Sequence, residues 1–424
     1  MRTLARLVLC AAVLSSTPLA QIGSRALAAG GRVEVDLFVV DASGAGDFRD
    51  LPEAVAAAAP GDVVLVRPTG GYSGFVLEKG ITIQGEAGAN ASCTLPAAAT
   101  LPCVLGSIEI RNVPAQQNAV VRSLVADGRG VGDPTLIVED CEGAVWIEDC
   151  HIQSCQAQCF SRSRAYVSNS PRVVVARSSI EGSLSPSAPG SFAFSVLDDA
   201  SVFSYENHIA GSDGVPMRLN RTGGNGVLVA EAFLFDMGST LLGGQGAAGT
   251  CIGQQCAVQA GIGGWALGAD MDSATIVGTT LVPGAGNNPS GCCPGSPDGN
   301  ALFQPVTTLA LPVRSCAVES PVRAGGTQRV TVRGQALDTV FTLHSPDASV
   351  SLVPSLFGSL LVGDAPRVVA RGSIPVTGVL ELDLPVPVLP ASVSFQKEFV
   401  QALMFDFDET GAFLSSGSAA LLLR

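Results

Sequence analysis

The residues of this 424-residue chain that could do chemistry are carboxylates in close succession: Glu139, Asp140 and Glu142, then Glu148 with Asp149, Asp198 with Asp199, and Glu206. If these positions recur on successive turns of a repeating backbone, their side chains fall near one another on one face. Such a row could hold Ca²⁺ or supply a general acid and base to a glycosidic bond, with Asp149, Asp199 and Glu206 as the catalytic candidates. Asp198 and Asp199, with Asp406 and Asp408, are the candidate Ca²⁺ ligands, although Asp408-Glu-Thr-Gly411 reads more simply as a hairpin turn. The plainer alternative for the whole row is that outward and turn positions of a repeat are polar because water reaches them.

Other chemistries find less support. Arg162, Arg164, Arg172 and Arg177 form the densest basic patch, which reads either as a solvated strand face or as a carboxylate-binding groove. His151, His208 and His344 show no metal-ligand spacing, and the first two sit at nearly equivalent places in the repeat, which favours a repeated surface position over zinc. Tyr72-Ser73-Gly74 does not complete a Gly-x-Ser-x-Gly nucleophile turn. The glycines at 223–226 and 243–249 lack the lysine and following helix of a phosphate-cradling loop. No cofactor is expected, with Ca²⁺ as the one candidate ion.

What must position these residues is a strand-turn-strand unit anchored at Leu124, Ile152, Ile180, Ile209, Leu242 and Leu281. Apolar pairs two residues apart precede most anchors: Val145 and Ile147, Val173 and Val175, Phe203 and Tyr205, Phe235 and Met237. That period predicts inward-facing strands of a parallel β-solenoid. Before the first strand, Asp50 and Glu53 fit a capping box, and Pro60-Gly61 ends a short helix whose stripe is Leu51, Ala54, Val55 and Ala58. An amphipathic helix there would cover the open apolar end of the solenoid.

Arg2 and Arg6, the apolar run at 7–14 and the small residues ending at Ala20 and Ala28 predict a signal peptide over 1–28, hence an exported protein. No later stretch is apolar enough to span a membrane. The net charge of −13, with only Lys79 and Lys397 as lysines, argues against nucleic acid and anionic membranes as partners, and against polyanions unless a local arginine cluster or Ca²⁺ intervenes. Eleven cysteines follow Cys10, and in an exported chain their spacing suggests disulfides such as Cys93 with Cys103, Cys141 with Cys150, and Cys155 with Cys159. Thiolate ligation of zinc by Cys251, Cys256, Cys292 and Cys293 is disfavoured by the adjacent pair.

The stretch from Asp41 to Gly85, including Gly70-Gly71-Tyr72 and Lys79-Gly80-Ile81-Thr82-Ile83-Gln84-Gly85, resembles the N-terminal cap and first rungs of right-handed parallel β-helix proteins of the pectin lyase-like superfamily. Pectin methylesterases and polysaccharide lyases belong to that group. Their catalytic motifs do not carry over: the aspartate contexts and Leu-Gly-Arg-Pro-Trp segment of the esterases, the Arg-x-Pro-x-x-Arg of the lyases and the Asn-x-Asp and Gly-His-Gly of polygalacturonases are missing. Val145-Trp-Ile-Glu-Asp-Cys-His151 is similar to a pectate lyase rung but has Asp and His in another order.

The expected layout is a capped parallel β-helix over 29–290, a linker over 291–305 and an antiparallel β-sandwich over 306–424, whose end from Phe399 to Ala419 resembles a C-terminal module of secreted planctomycete proteins. Together these imply an extracellular protein that binds polysaccharide or a surface partner on a flat β-helix face without catalysis. The alternative is a polysaccharide lyase or glycoside hydrolase using the acidic row. Oligomeric state is open.

Overall fold

A computed structural model describes residues 35–88, 100–128, 134–153, 163–182, 191–214, 222–248, 250–252, 255–270, 273–287, 293–304, 306–363, 365–406 and 411–424. The expectations placed on Arg162, Cys93, Cys155, Cys159, Cys292 and Asp408 lie outside these residues, as do those on the Cys251 and Cys256 side chains.

The chain winds into a parallel β-helix of about 7 turns with three faces. The first face is a ten-stranded parallel sheet running from Leu37–Val40 through Ala144–Glu148 and Phe233–Met237 to Thr307–Leu309. The second is a stack of three-residue strands: Val125–Asp127, His151–Gln153, Ser179–Glu181, His208–Ala210, Thr240–Leu242 and Thr280–Val282. The third runs through Leu136–Glu139, Ser163–Ser168, Phe192–Leu197, Asn225–Ala230 and Leu267–Ala269 to Leu302–Phe303. The stretch read as a linker thus supplies Leu302–Phe303, and pairing carries the β-helix to Leu309.

Two corners of each rung turn on one or two residues of positive φ. Ser123, Asp149, Arg177, Glu206, Gly238 and Gly278 end the first face; Asn112, Asp140, Asn169, Asp198, Asp199 and Glu231 end the third. This left-handed conformation suits Asn, Asp and Gly, and it turns the strand within a residue or two. After four successive corners of the first face the next residue, Cys150, Ser178, Asn207 or Ser239, is buried and bonded to its neighbour on the adjoining rung. Ser178 Oγ accepts from Cys150 N at 3.1 Å, Asn207 Oδ1 from Ser178 N at 2.7 Å and Ser239 Oγ from Asn207 N at 3.0 Å. A ladder of small polar side chains therefore satisfies buried backbone that the sheets do not reach.

This geometry overturns one expected disulfide. Cys150 follows a first-face corner and Cys141 a third-face corner, with the strand Ala144–Glu148 between them, and both are free buried thiols. Cys141 Sγ donates to Glu139 O at 3.3 Å and Cys150 Sγ to Glu148 O at 3.3 Å. Burial pushes the Cys150 thiol up to about 12, as expected of an inert structural cysteine.

Helix Leu51–Ala57 closes the N-terminal end as expected. Asp50 accepts from Leu51 N, and Leu51, Ala54, Val55 and Ala58 join the interior core. Inside, Ala126, Ile152, Ile180, Ile209, Leu241 and Leu281 stack, so Ala126 replaces Leu124 and Leu241 replaces Leu242 among the expected anchors. Val145, Ile147, Val173 and Val175 point inward as predicted. Phe203, Tyr205, Phe235 and Met237 do not: Val173 pairs with Val202, which turns Phe203 outward beside Val174 and Phe235. The pattern misled because this sheet is dry on both sides, so apolarity no longer marks the inside.

The second dry side is made by the C-terminal region. A three-stranded sheet (Ser315–Val318, Thr327–Arg333, Val379–Pro385) faces a five-stranded one that holds Thr339–Ser345, Phe395–Asp406 and Gly411–Leu423. Val330, Val332, Val340, Val400 and Met404 fill the space between, a packing compatible with the expected small sandwich. Leu343, Val350, Leu361, Phe399, Leu414 and Ala419 then seal this region onto Trp146, Val174, Phe203, Tyr205 and Phe235.

Candidate functional site

The acidic row is not one site. Asp149 and Glu206 lie on the same corner, but Arg177 occupies the rung between them, and Asp199 lies on the other corner, exposed, with its N–H donating to Glu231 O. Beside Asp149, the Glu148 side chain is fully buried and accepts from Trp146 Nε1 at 2.8 Å, Ala419 N at 2.8 Å and Ser418 Oγ. Arg122 reaches Glu148 at 3.3 Å and Asp149 at 2.8 Å, and Arg177 pairs with both carboxylates. The two arginines also donate to Val318 O, Ala419 O and Cys316 O of the C-terminal region. Burial opposes the charge on Arg177, but Glu148, Asp149 and Glu206 outweigh it and hold its pKa above the usual arginine value. Two carboxylates matched to two arginines make a joint between the β-helix and the C-terminal region.

The remaining expected residues scatter. Glu139 pairs with Arg111 at 3.0 Å, and Asp140 accepts from Asn169 Nδ2 at 3.1 Å. Asp198 is exposed on its corner beside Asp199, while Asp406 is buried 3.6 Å from Arg314 Nη2, so the Ca²⁺ candidates fall in separate regions. Among the described residues no group of three or more His, Cys, Asp or Glu is placed to share a metal. Arg164 is buried, and desolvation lowers its pKa to about 10; Arg172 donates to backbone carbonyls and Arg177 belongs to the joint, so these three described arginines form no basic groove. His344 is buried against Glu398 at 3.2 Å.

An open groove of about 620 Å³ lies elsewhere, on the face of short strands. Its floor follows from the rung register. Because Ile152, Ile180 and Ile209 point inward, their neighbours point out: Gln153, Glu181, Ala210, Leu242 and Val282 form one outward row, and His208 belongs to the row beside it. The far wall is a turn region carrying Ser212, Asp213, Gln245 and Pro283. Asp213 Oδ1 accepts from Gln245 N at 2.8 Å, which fixes that wall. The groove is polar at its Gln153, Glu181 and His208 end and apolar at Leu242, Val282 and Pro283.

The turn region is built from glycine because its chain segments touch backbone to backbone. Gly224 N donates to Ser212 O, Gly244 N to Gly224 O, Gly264 N to Gly244 O, Gly284 N to Gly264 O and Gly299 N to Gly284 O, all within 2.6–2.9 Å. A Cβ on Gly244 would lie 1.8 Å from Ser212 O, and one on Gly284 would lie 1.9 Å from Gly244 O. The glycine runs that fail as phosphate loops are thus the packed corner that walls the groove.

Sequence reasoning passed over Glu181, Gln153, Asp213 and Gln245, and placed His208 at a surface position of the repeat, where it is exposed. Gln153 and Glu181 were findable, since each directly follows an inward isoleucine. Asp213 and Gln245 lie in glycine turns that carry no period.

No family model and no curated protein matches the chain. Among solved structures it is similar to tailspike protein 2 of the Escherichia coli O157:H7 bacteriophage CBA120. The enzymatically active domain aligns at 10% identity and a TM-score of 0.28 over 83% of this chain and 65% of that one. The full-length protein aligns at the same identity and TM-score over 90% and 63%. The chain therefore spans less than two thirds of those structures, and a likeness this loose carries no functional argument. The resemblances to pectin lyase-like enzymes and to the planctomycete module gain no support beyond the parallel β-helix itself.

Proposed function

We propose that this is an exported β-helix protein that binds a neutral polysaccharide lengthwise in the groove on its short-strand face, without cleaving it. The observation that carries the reading is the composition of that groove: Gln153, Glu181, His208 and Gln245 offer hydrogen bonds, Leu242, Val282 and Pro283 offer apolar contact, and among the described residues no Lys or Arg lines it. Sugar rings present hydroxyl edges and apolar faces, and an uncharged chain avoids the repulsion that Glu181, Asp213 and the net charge of −13 would impose on a polyuronate. Rungs recur about every 4.8 Å, close to the advance of one sugar along a glycan, so successive rungs can meet successive residues.

The test is calorimetric titration with cellohexaose, xylohexaose and laminarihexaose beside hexagalacturonate. At least one neutral hexasaccharide should bind, and Glu181→Gln and His208→Ala should each weaken it about tenfold, the loss of one well-made polar contact of ~1.4 kcal/mol. Asp199→Ala should bind as the parent does. Preference for hexagalacturonate, or full affinity in both groove variants, would overturn the reading. Release of new reducing ends, lost in Glu181→Gln, would replace binding with hydrolysis at the same groove.

A further inference from the structure

The last two rungs carry a stacked aromatic pair on their outer side. Leu267 and Ala269 point into the core, so Gly268 between them faces out; a Cβ there would touch Trp265 Cε3 at 3.7 Å and Leu228 Cδ1 at 3.9 Å. Gly268 pairs with Phe303 on the next and final strand of this face, which places Phe303 outside as well. The two rings lie flat on one another, with centroids 4.1 Å apart and planes 7° from parallel. Phe303 is 44% exposed. The Trp265 ring therefore has Leu228 and the bare Gly268 behind it, and among the described residues no further strand of this face follows Phe303. The stack ends on Phe303, the more exposed member of the pair.

We infer that the exposed ring of Phe303, backed by Trp265, is a second subsite that takes the apolar face of a single sugar ring from the same neutral chain. The inference rests on the polysaccharide reading of the groove and extends it. An open aromatic face attracts the C–H groups on one side of a pyranose, and the backing tryptophan holds the ring in place at little entropic cost. Continuity with the groove supports this occupant over a protein partner. The groove's apolar end is Val282 and Pro283, Gly284 joins Gly299 by a backbone hydrogen bond, and Phe303 follows Gly299 by four residues, at most about 14 Å of extended chain. Among the described residues the corner itself is glycine, so a chain leaving the groove can round it and meet the ring.

The protein carries its own reporter. Its other tryptophan, Trp146, is 1% exposed beneath the C-terminal region, so a change in tryptophan emission on binding reads Trp265. The experiment compares fluorescence and calorimetric titrations of the parent, Phe303→Ala, Phe303→Leu and Glu181→Gln with whichever neutral hexasaccharide binds, and with the disaccharide of the same linkage. Expected are an emission change with the hexasaccharide, a threefold to tenfold weakening in both Phe303 variants, about the worth of one aromatic contact, and no Phe303 effect on the disaccharide, which cannot span both places. Phe303→Leu keeps an apolar cover on Trp265, so a loss there reports the missing ring and not a disturbed rung. Unchanged hexasaccharide affinity in both Phe303 variants, with Glu181→Gln weakened, would overturn the subsite and leave the groove reading standing. Failure of the parent to bind any neutral hexasaccharide would remove both.

Discussion

The ten-stranded face and the short-strand face are built by the same rungs, yet one is a joint and the other is open. On the first, outward positions carry Trp146, Phe203, Tyr205, Phe235 and Met237, and the C-terminal region covers them. On the second they carry Gln153, Glu181, His208 and Ala210, and they line a groove. A charge on the first face must therefore be matched within the protein, as Glu148 and Asp149 are by Arg122 and Arg177, whereas Glu181 on the second is exposed. Density of carboxylates in the sequence thus pointed to the joint, whereas Glu181 on the short strands stands exposed in the groove.

The strongest way to break this comparison is to attack the joint. Trp146→Ala removes a buried indole that packs on Phe399 with centroids 5.4 Å apart and donates to Glu148; it should cost about 3–5 kcal/mol, read as a fall in Tm. Glu148→Ala removes the fully buried carboxylate shared by Arg122 and Arg177 and should cost a similar ~3–5 kcal/mol, with proteolysis reporting exposure of the C-terminal region. If either variant kept the parent's Tm, the face would not be a joint.

A subtler change concerns the interior. Asp236 is fully buried in the β-helix, and burial raises its pKa even though Thr279 Oγ1 donates to it at 2.5 Å. Below the ordinary carboxylate range both folded and unfolded chains hold this proton. As pH rises through that range the unfolded chain releases its proton first, so this group makes stability fall with pH until the folded pKa is passed. Asp236→Asn should therefore gain stability relative to the parent between pH 4 and pH 8, measured as the difference in urea midpoints; a constant difference across that window would refute the assignment.

The smallest structural effect belongs to the open face. Glu181→Gln should change stability by no more than about 0.5 kcal/mol while weakening hexasaccharide binding. A large stability loss there would show that the groove, too, is a load on the fold.

Much of the architecture was legible because it depends on local pattern. Ile152, Ile180 and Ile209 recur at one phase of the rung, and Asp50 with the stripe Leu51, Ala54 and Val55 announced the cap. The phase failed at Phe203 and Phe235, where a sheet distant in sequence buries the other side. The groove was half legible, in Gln153 and Glu181 after their isoleucines, and illegible in Asp213 and Gln245, which only the glycine corner brings across from them.

By itself the sequence determined a parallel β-helix with a helical cap, since inward apolar residues and turn residues at fixed phase are short-range signals. Tertiary structure decided which face of that helix is open. The aromatic and acidic residues that most resemble a binding site lie against Phe399, Ser418 and Ala419, some 250–270 positions away along the chain, and no periodicity within the rungs records that contact. Whether a side chain meets water or another sheet sets what its charge can do.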